Sequence, residues 1–168
     1  MTPVARPPGT PDLPYRPCVG LMLINPHGLV FAGRRLSDSL GEAWQMPQGG
    51  IDKNETPRKA ALRELKEEVG TDKVTILAET TDWLSYDLPA PLLGKALGGR
   101  FCGQKQKWFA LRFEGTDDDI DIATEEPEFD RWSWLEPEEV CRRIVDFKRP
   151  IYDAVFEEFS RFVAGAAR

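Results

Sequence analysis

Between Gly49 and Gly70 the chain reads "GGIDKNETPRKAALRELKEEVG", and this stretch constrains the fold more than any other. Thr56 is a natural helix cap, Pro57 suits a first turn, and Gly70 supplies a stop. At roughly 100° per residue, a helix over this span sorts its side chains into three arcs. Ala61, Leu62, Leu65 and Val69 form an apolar arc that must face a core. Lys59, Arg63 and Lys66 form a basic arc. Glu64, Glu67 and Glu68 form an acidic arc beside the apolar one. The helix should therefore lie on a domain body with carboxylates at its margin. The Gly49-Gly50 loop before it lets a ligand approach the backbone closely.

Like charges three and four residues apart destabilise a helix. Glu67 has Arg63 four residues back as a counter-charge, but Glu64 and Glu68 have no basic neighbour at helical spacing. Either these carboxylates are solvated, or something positive sits between them. The adjoining apolar arc and glycine loop favour the second reading. A donor set of carboxylate oxygen alone, without sulfur or imidazole, suits a hard cation such as Mg²⁺ or Mn²⁺. Such ions bridge phosphate oxygens and activate water.

Composition narrows the remaining classes. At 168 residues, 41% hydrophobic and 30% charged, the chain reads as one ordinary globular domain. A net charge of -6 argues against coating long nucleic acid by charge alone, but not against gripping a small phosphorylated ligand locally. Cys18, Cys102 and Cys141 are widely spaced and odd in number, which disfavours a disulfide framework or a thiolate metal site. Reduced thiols in the cytoplasm are the expectation. No apolar run approaches the roughly 18 residues of a membrane span, so no membrane association is expected. The start is proline-rich and lacks a signal peptide's apolar stretch. His27 is the single histidine, which disfavours a histidine-rich zinc site and a Ser-His-Asp triad.

The flanking segments read as alternating elements. Residues 1–14 form a proline-rich tail expected to be flexible, with one domain over residues 15–168. "CVGLMLINPHGLVFAGRR" reads as two strands joined at Asn25-Pro26-His27-Gly28, and "LSDSLGEA" as a loop. "VTILAETTDWLSYDLP" reads as a strand entering an aromatic loop, and "PAPLLGKALGG" as a loop. "QKQKWFALRFEG" and "RWSWL" read as strands separated by an acidic irregular segment. Helical spacing marks "EPEEVCRRIV" and "PIYDAVFEEFSRFVAG". In the latter, Ile151, Val155, Phe159 and Phe162 form a stripe that reads as core.

The central stretch also matches a family signature. Gly49, Glu55 and the run Arg63-Glu64-Leu65-Lys66-Glu67-Glu68-Val69-Gly70 stand at the spacings of the Nudix box, which this chain resembles. Thr71 departs from it, since an aliphatic residue is usual there, but this touches no chemistry. Beyond the box, "YRPCVG", "WQMPQGGID", "GQKQKWF", "PEFDRWSWL" and "VDFKRPIY" resemble the bacterial RNA 5′-pyrophosphohydrolases. Dinucleoside polyphosphate hydrolases share much of this pattern. The likeness spans nearly all of residues 15–160. It implies the α+β Nudix fold, an α/β/α sandwich with a mixed central β-sheet carrying the loop-helix-loop.

The resemblance implies that Glu64, Glu67 and Glu68 bind Mg²⁺ or Mn²⁺, with Glu128 of "PEFD" as a further ligand or the base that activates water. Without it, Glu128 is indistinguishable from Glu125 and Glu126. Arg63 completes the catalytic set as an orienting partner of the carboxylates, and Glu55 reads as structural. Arg16 and Arg35 suit the polyphosphate, because the guanidinium fork matches phosphate oxygens; exposed solubilising arginines are the plainer alternative. Strand alternation places Lys105, Lys107 and Phe109 on one face and Gln104, Gln106 and Trp108 on the other. One of these faces lines a cleft, and Lys105 and Lys107 are the substrate candidates. Trp83 and Tyr86 offer rings for base stacking, though Trp83 equally suits a core. Phe147-Lys148 resembles the pair that grips a terminal base in the RNA-directed members, against a plain helix-end reading.

The expected activity is Mg²⁺-dependent hydrolysis of a phosphoanhydride at an RNA 5′ end or within a dinucleoside polyphosphate. Rival readings are a hydrolase of free nucleotides or nucleotide sugars, and a non-catalytic sensor of nucleotides or RNA ends. A monomer is the default expectation for the assembly.

Overall fold

The computed structural model describes residues 13–36 and 43–163. The proposed flexible tail therefore lies outside the described residues except for Leu13 and Pro14, as does most of the "LSDSLGEA" loop. The strands are β1 (Tyr15–Ile24), β2 (Val30–Arg35), β3 (Trp44–Gln45), β4 (Gln48–Gly50), β5 (Val74–Glu79), β6 (Leu84–Asp87), β7 (Gly103–Phe113) and β8 (Phe129–Leu135). The helices are α1 (Pro57–Val69), α2 (Pro137–Arg143) and α3 (Arg149–Glu158).

The strands form a mixed eight-stranded sheet with the order β3-β2-β1-β7-β5; β4 also pairs with β1, β6 with β7, and β8 with β2. Its spine is the parallel pairing of β1 with β7, from Tyr15↔Gly103 to Ile24↔Arg112. The continuous apolar run "VGLMLI" in β1 follows from burial on both faces. Val19, Leu21 and Leu23 meet Phe109, Leu111 and the Ala61–Leu65–Val69 arc of α1. Met22 and Ile24 meet Trp108, Ala110 and the α2–α3 layer through Val140, Ile151, Val155 and Phe159. Helices thus cover both faces of the sheet, as the resemblance implied.

Local signals set α1 as the sequence predicted. Thr56 accepts a hydrogen bond from the Lys59 amide at 3.2 Å, Pro57 opens the first turn, and Gly70 closes the helix at φ 80°. That left-handed conformation favours glycine. Two expectations need correction. The aromatic segment after β5 is not wholly loop, since Leu84–Asp87 pairs with β7. The stripe on the last helix stops short, because α3 ends at Glu158 and Phe162 belongs to a separate 3₁₀ turn. No described helix is long and apolar enough to cross a membrane.

Candidate active site

A cleft of about 1070 Å³ opens where β4, α1, the 121–128 segment and the turn before α3 converge. One end is charged and carries Arg16, Arg35, Arg63 and the box glutamates. The other is mainly apolar and carries Tyr86, Leu92, Leu97 and Phe147. A site with these two ends can take a molecule that joins a phosphate chain to a flat apolar ring.

Arg63 organises the charged end. Its Nε and Nη2 donate to the two carboxylate oxygens of Glu55, each at 2.8 Å, and Nη2 also donates to the Gly50 carbonyl at 2.8 Å. Its Nη1 donates to Glu64 at 2.8 Å and to Glu67 at 3.1 Å. The Arg63 hydrogen bonds hold the Glu55 carboxyl down at about 2. Glu55 also accepts from the Asp52 amide at 3.0 Å, which fits its structural reading. The loop before α1 is thereby tied to the helix. A Cβ at Gly49 would lie 2.0 Å from the Glu64 carboxyl carbon, so a larger residue there would displace that carboxylate.

Glu68 differs from its neighbours. It is buried, and its hydrogen bond comes from the Gln48 amide at 3.2 Å. Burial, then Glu64, then Glu128 push its carboxyl well above the ordinary range. Burial also raises Glu64, against the pull of Arg63. Glu67 is more exposed, with 57% of its side chain accessible. Glu128 reaches the same cleft from across the gap, with Arg35 Nε 3.9 Å from its carboxylate. Among the described residues no three acidic, His or Cys side chains form a ready-made metal cage. The set still fits Mg²⁺, which commonly uses one or two carboxylates and completes its shell with water and substrate phosphate. The donors are hard oxygens, and Glu68 sits buried in an acidic surrounding that a cation would relieve.

Arg16 lies against Gly50, its guanidinium nitrogen 2.5 Å from where a Cβ would stand there. The Arg35 Nε is buried without a hydrogen-bond partner among the described residues. A buried donor in that state calls for an acceptor such as a phosphate oxygen. At the apolar end, the Tyr86 and Phe147 rings stand 5.5 Å apart and tilted by 48°. Lys148 is buried beside them, its Nζ 5.7 Å from the Tyr86 ring centre and 3.4 Å from the Gln45 side-chain oxygen. Burial, aided by Arg35, lowers its ammonium to about 8. This is not a plain helix-end lysine.

The structure does not bring Lys105 and Lys107 to this cleft. Both flank the exposed Trp83, at 5.2 and 5.8 Å from its ring, and Lys107 also donates to the Thr80 and Thr81 carbonyls. The alternation along β7 holds, but it is Gln104, on the glutamine face, that lines the site. Trp83 is neither core nor cleft wall, being 42% exposed. Sequence reasoning also missed Gln45, Gln48, Gln104, Leu92, Leu97 and Thr124, all cleft-lining. For Gln104 the alternating pattern was the available signal. For Leu97, which adopts φ 55° in a 3₁₀ turn, the neighbouring glycines were a weak one.

A family model described as the NUDIX domain matches residues 14–155. A protein of Cereibacter sphaeroides called RNA pyrophosphohydrolase is 54% identical over 159 residues, covering 94% of this chain and 96% of the relative. One of Rhodospirillum rubrum, of the same name, is 55% identical over 150 residues, covering 89% and 90%. Among solved structures, the E. coli dihydroneopterin triphosphate pyrophosphohydrolase superposes with a TM-score of 0.64 at 18% identity, covering 86% of this chain and 99% of the other. A C. elegans Ap4A hydrolase gives 0.60 at 18% identity, with the same coverage. These distant structures speak to the fold.

Proposed function

The chain belongs to the NUDIX domain family, and we propose that it hydrolyses a phosphoanhydride at the 5′ end of triphosphorylated RNA or within a dinucleoside polyphosphate. The observation that carries this reading is the two-ended cleft, with acidic and basic groups at one end and the Tyr86–Phe147–Lys148 slot at the other. Near-full-length relatives named RNA pyrophosphohydrolase favour the RNA end. The free thiols of Cys18, Cys102 and Cys141 suit a reducing compartment such as the cytoplasm.

Glu64, Glu67, Glu68 and Glu128 are the residues to hold Mg²⁺ or Mn²⁺. Bound there, the ion would neutralise polyphosphate charge and acidify water. Arg16 and Arg35 bind phosphoryl oxygens and align the chain of phosphates. Glu128, if not itself a ligand, accepts a proton from the attacking water at its carboxylate oxygen. Water adds to phosphorus, the anhydride P–O bond breaks, and pyrophosphate departs to leave a 5′-monophosphate. Arg63 keeps Glu64, Glu67 and the Gly50 carbonyl in place. Tyr86 and Phe147 receive a base between apolar surfaces, while Lys148 donates to an acceptor on its edge.

Specificity constants for 5′-triphosphate RNA, 5′-diphosphate RNA and diadenosine tetraphosphate test this reading. At least one should exceed those for free nucleoside triphosphates and nucleotide sugars by about tenfold, the worth of one hydrogen bond to the additional nucleotide that only they carry. Dominant use of nucleotide sugars would overturn it, and binding without Mg²⁺-dependent turnover would make the domain a sensor.

The slot has its own signature. Phe147→Ala should raise the Michaelis constant for RNA by about tenfold to a hundredfold. It should leave base-free tripolyphosphate unaffected. Because Lys148 titrates at about 8, its charge is present below that pH and lost above it. The ratio of kcat/KM for RNA to that for tripolyphosphate should therefore fall above pH 8 in the wild type and stay flat in Lys148→Met. Equal loss on both substrates would make these positions structural.

A further inference from the structure

Three side chains on one face of β7 form a chain whose polarity is forced from one end. The Trp108 indole Nε1 lies 2.8 Å from the Gln106 Oε1. An indole N–H only donates, so the atom it meets must be the amide oxygen. The other terminal atom of Gln106 is then its NH₂ group. That group donates to Gln104 Oε1 at 2.7 Å and to Gln48 Oε1 at 3.0 Å. Both of those atoms are thereby fixed as oxygens. Trp108 and Gln106 are 0% and 1% exposed, so neither is free to exchange partners with solvent.

The consequence falls on Gln104. Its oxygen is held inward by Gln106, and the Gln48 amide nitrogen adds a long contact to it at 3.4 Å. Its own NH₂ makes no hydrogen bond to any described residue, although Gln104 is only 2% exposed and lines the cleft. Its register partners are Arg16 on β1 and Tyr86 on β6. Gln104 thus stands where the phosphate end meets the base slot. A freely turning glutamine offers either a donor or an acceptor, whereas this one offers only a donor.

We propose that Gln106 is a positioning residue which, set by Trp108, holds Gln104 with its NH₂ toward the cleft to bind an acceptor oxygen of the substrate. This rests on reading the cleft as the site of phosphoanhydride hydrolysis. The oxygen belongs either to a phosphoryl group or to the base or ribose beside it. The fixed orientation excludes a substrate donor at that point, because two donors facing each other leave both unpaired. Pre-setting the amide also spares the entropy of ordering it on binding.

A double-mutant cycle tests the relay, with kcat and KM measured on 5′-triphosphorylated RNA and on base-free tripolyphosphate. Gln104→Leu should raise KM for RNA by about tenfold while kcat changes little, since a binding contact common to ground and transition states is lost. Gln106→Met should raise KM by about threefold to tenfold, through loss of orientation. The double variant should match Gln104→Leu alone, because the relay runs from Gln106 to Gln104 and not through Gln48, its other acceptor. Trp108→Phe keeps a ring in the core but removes the N–H. It should raise KM in the same direction, and its effect should also vanish in the Gln104→Leu background. That arm decides the matter if Gln106→Met does not fold. A KM rise shared with tripolyphosphate assigns the oxygen to a phosphoryl group. A rise confined to RNA assigns it to base or ribose. Either supports the relay. Independent, multiplying effects of the two glutamines, or losses confined to kcat and thermal stability, would overturn it. Absence of wild-type turnover on triphosphorylated RNA would instead sink the functional reading on which it rests.

Discussion

Glu68→Gln should lower turnover by at least about a hundredfold, the scale of losing one preorganised electrostatic group at a reacting centre. The same substitution should raise the melting temperature of the metal-free protein. Glu68 is buried, accepts its hydrogen bond from the Gln48 amide and faces Glu64 and Glu128 without a cation of its own. Glutamine keeps the shape and the acceptor oxygen while removing the like charge. Each kcal/mol of relieved repulsion is worth about 2–4 °C in a chain of this size. Glu67→Gln should cost activity without the thermal gain, because Glu67 is largely exposed and already paired with Arg63.

The pH dependence follows with a definite sign. The Glu68 carboxyl sits well above its ordinary value of 4.5 in the folded chain. Such a group contributes stability that is fully present below the unfolded value and lost as pH rises through the folded one. The metal-free wild type should therefore melt lower at pH 8 than at pH 5 by a margin that Glu68→Gln reduces. Added Mg²⁺ should recover the wild type at pH 8 more than the variant, by mass action on the folded state. Melting curves in chelator and in Mg²⁺ at the two pH values measure all of this. Identical slopes for both proteins would show that Glu68 carries no uncompensated charge and would remove it from the proposed metal set.

What the sequence made legible was local. The limits of α1 follow from Thr56, Pro57 and Gly70, and its apolar arc from a single period, so both appear where expected, except that Ala60 is buried and Leu62 only partly so. The β7 alternation was equally local, yet which face meets the cleft depends on β6 pairing beside Gln104 and on the turn before α3 lining the same cleft. No periodicity encodes that. The same limit applies to Glu128. Glu125, Glu126 and Glu128 all line the cleft, and what separates Glu128 is its approach to Arg35 and its field at Glu68. Both arise from strand β8 returning beside β2. The burial of Lys148 is likewise tertiary, because Gln45 and Tyr86 come from distant strands to enclose it.

Arg63→Ala should destabilise the fold by about 2–4 kcal/mol, between the worth of exposed and fully buried ion pairs. It should also lower kcat. The side chain is 28% exposed and serves Glu55, Glu64, Glu67 and the Gly50 carbonyl together. Alanine leaves carboxylates facing one another with no cation and frees Gly50, at the end of β4, from α1. Arg63→Lys should recover only part of either loss, because an ammonium is a point charge and cannot fork across Glu55 while reaching Gly50. Adding Glu55→Gln to Arg63→Ala should restore some stability but little activity, since Glu55 orders the loop whereas Glu64 faces the cleft. The acid limb separates this account from a general packing defect. The Glu55 carboxyl, held at about 2 by Arg63 and ordinarily near 4.5, contributes stability that is present above 4.5 and lost as pH falls toward 2. The difference in urea midpoint between wild type and Arg63→Ala should therefore narrow once the pH drops below 4.5. If that difference stays constant from pH 7 into the acid range, the loss comes from the side chain's packing, and Arg63 is not the electrostatic clamp of the site.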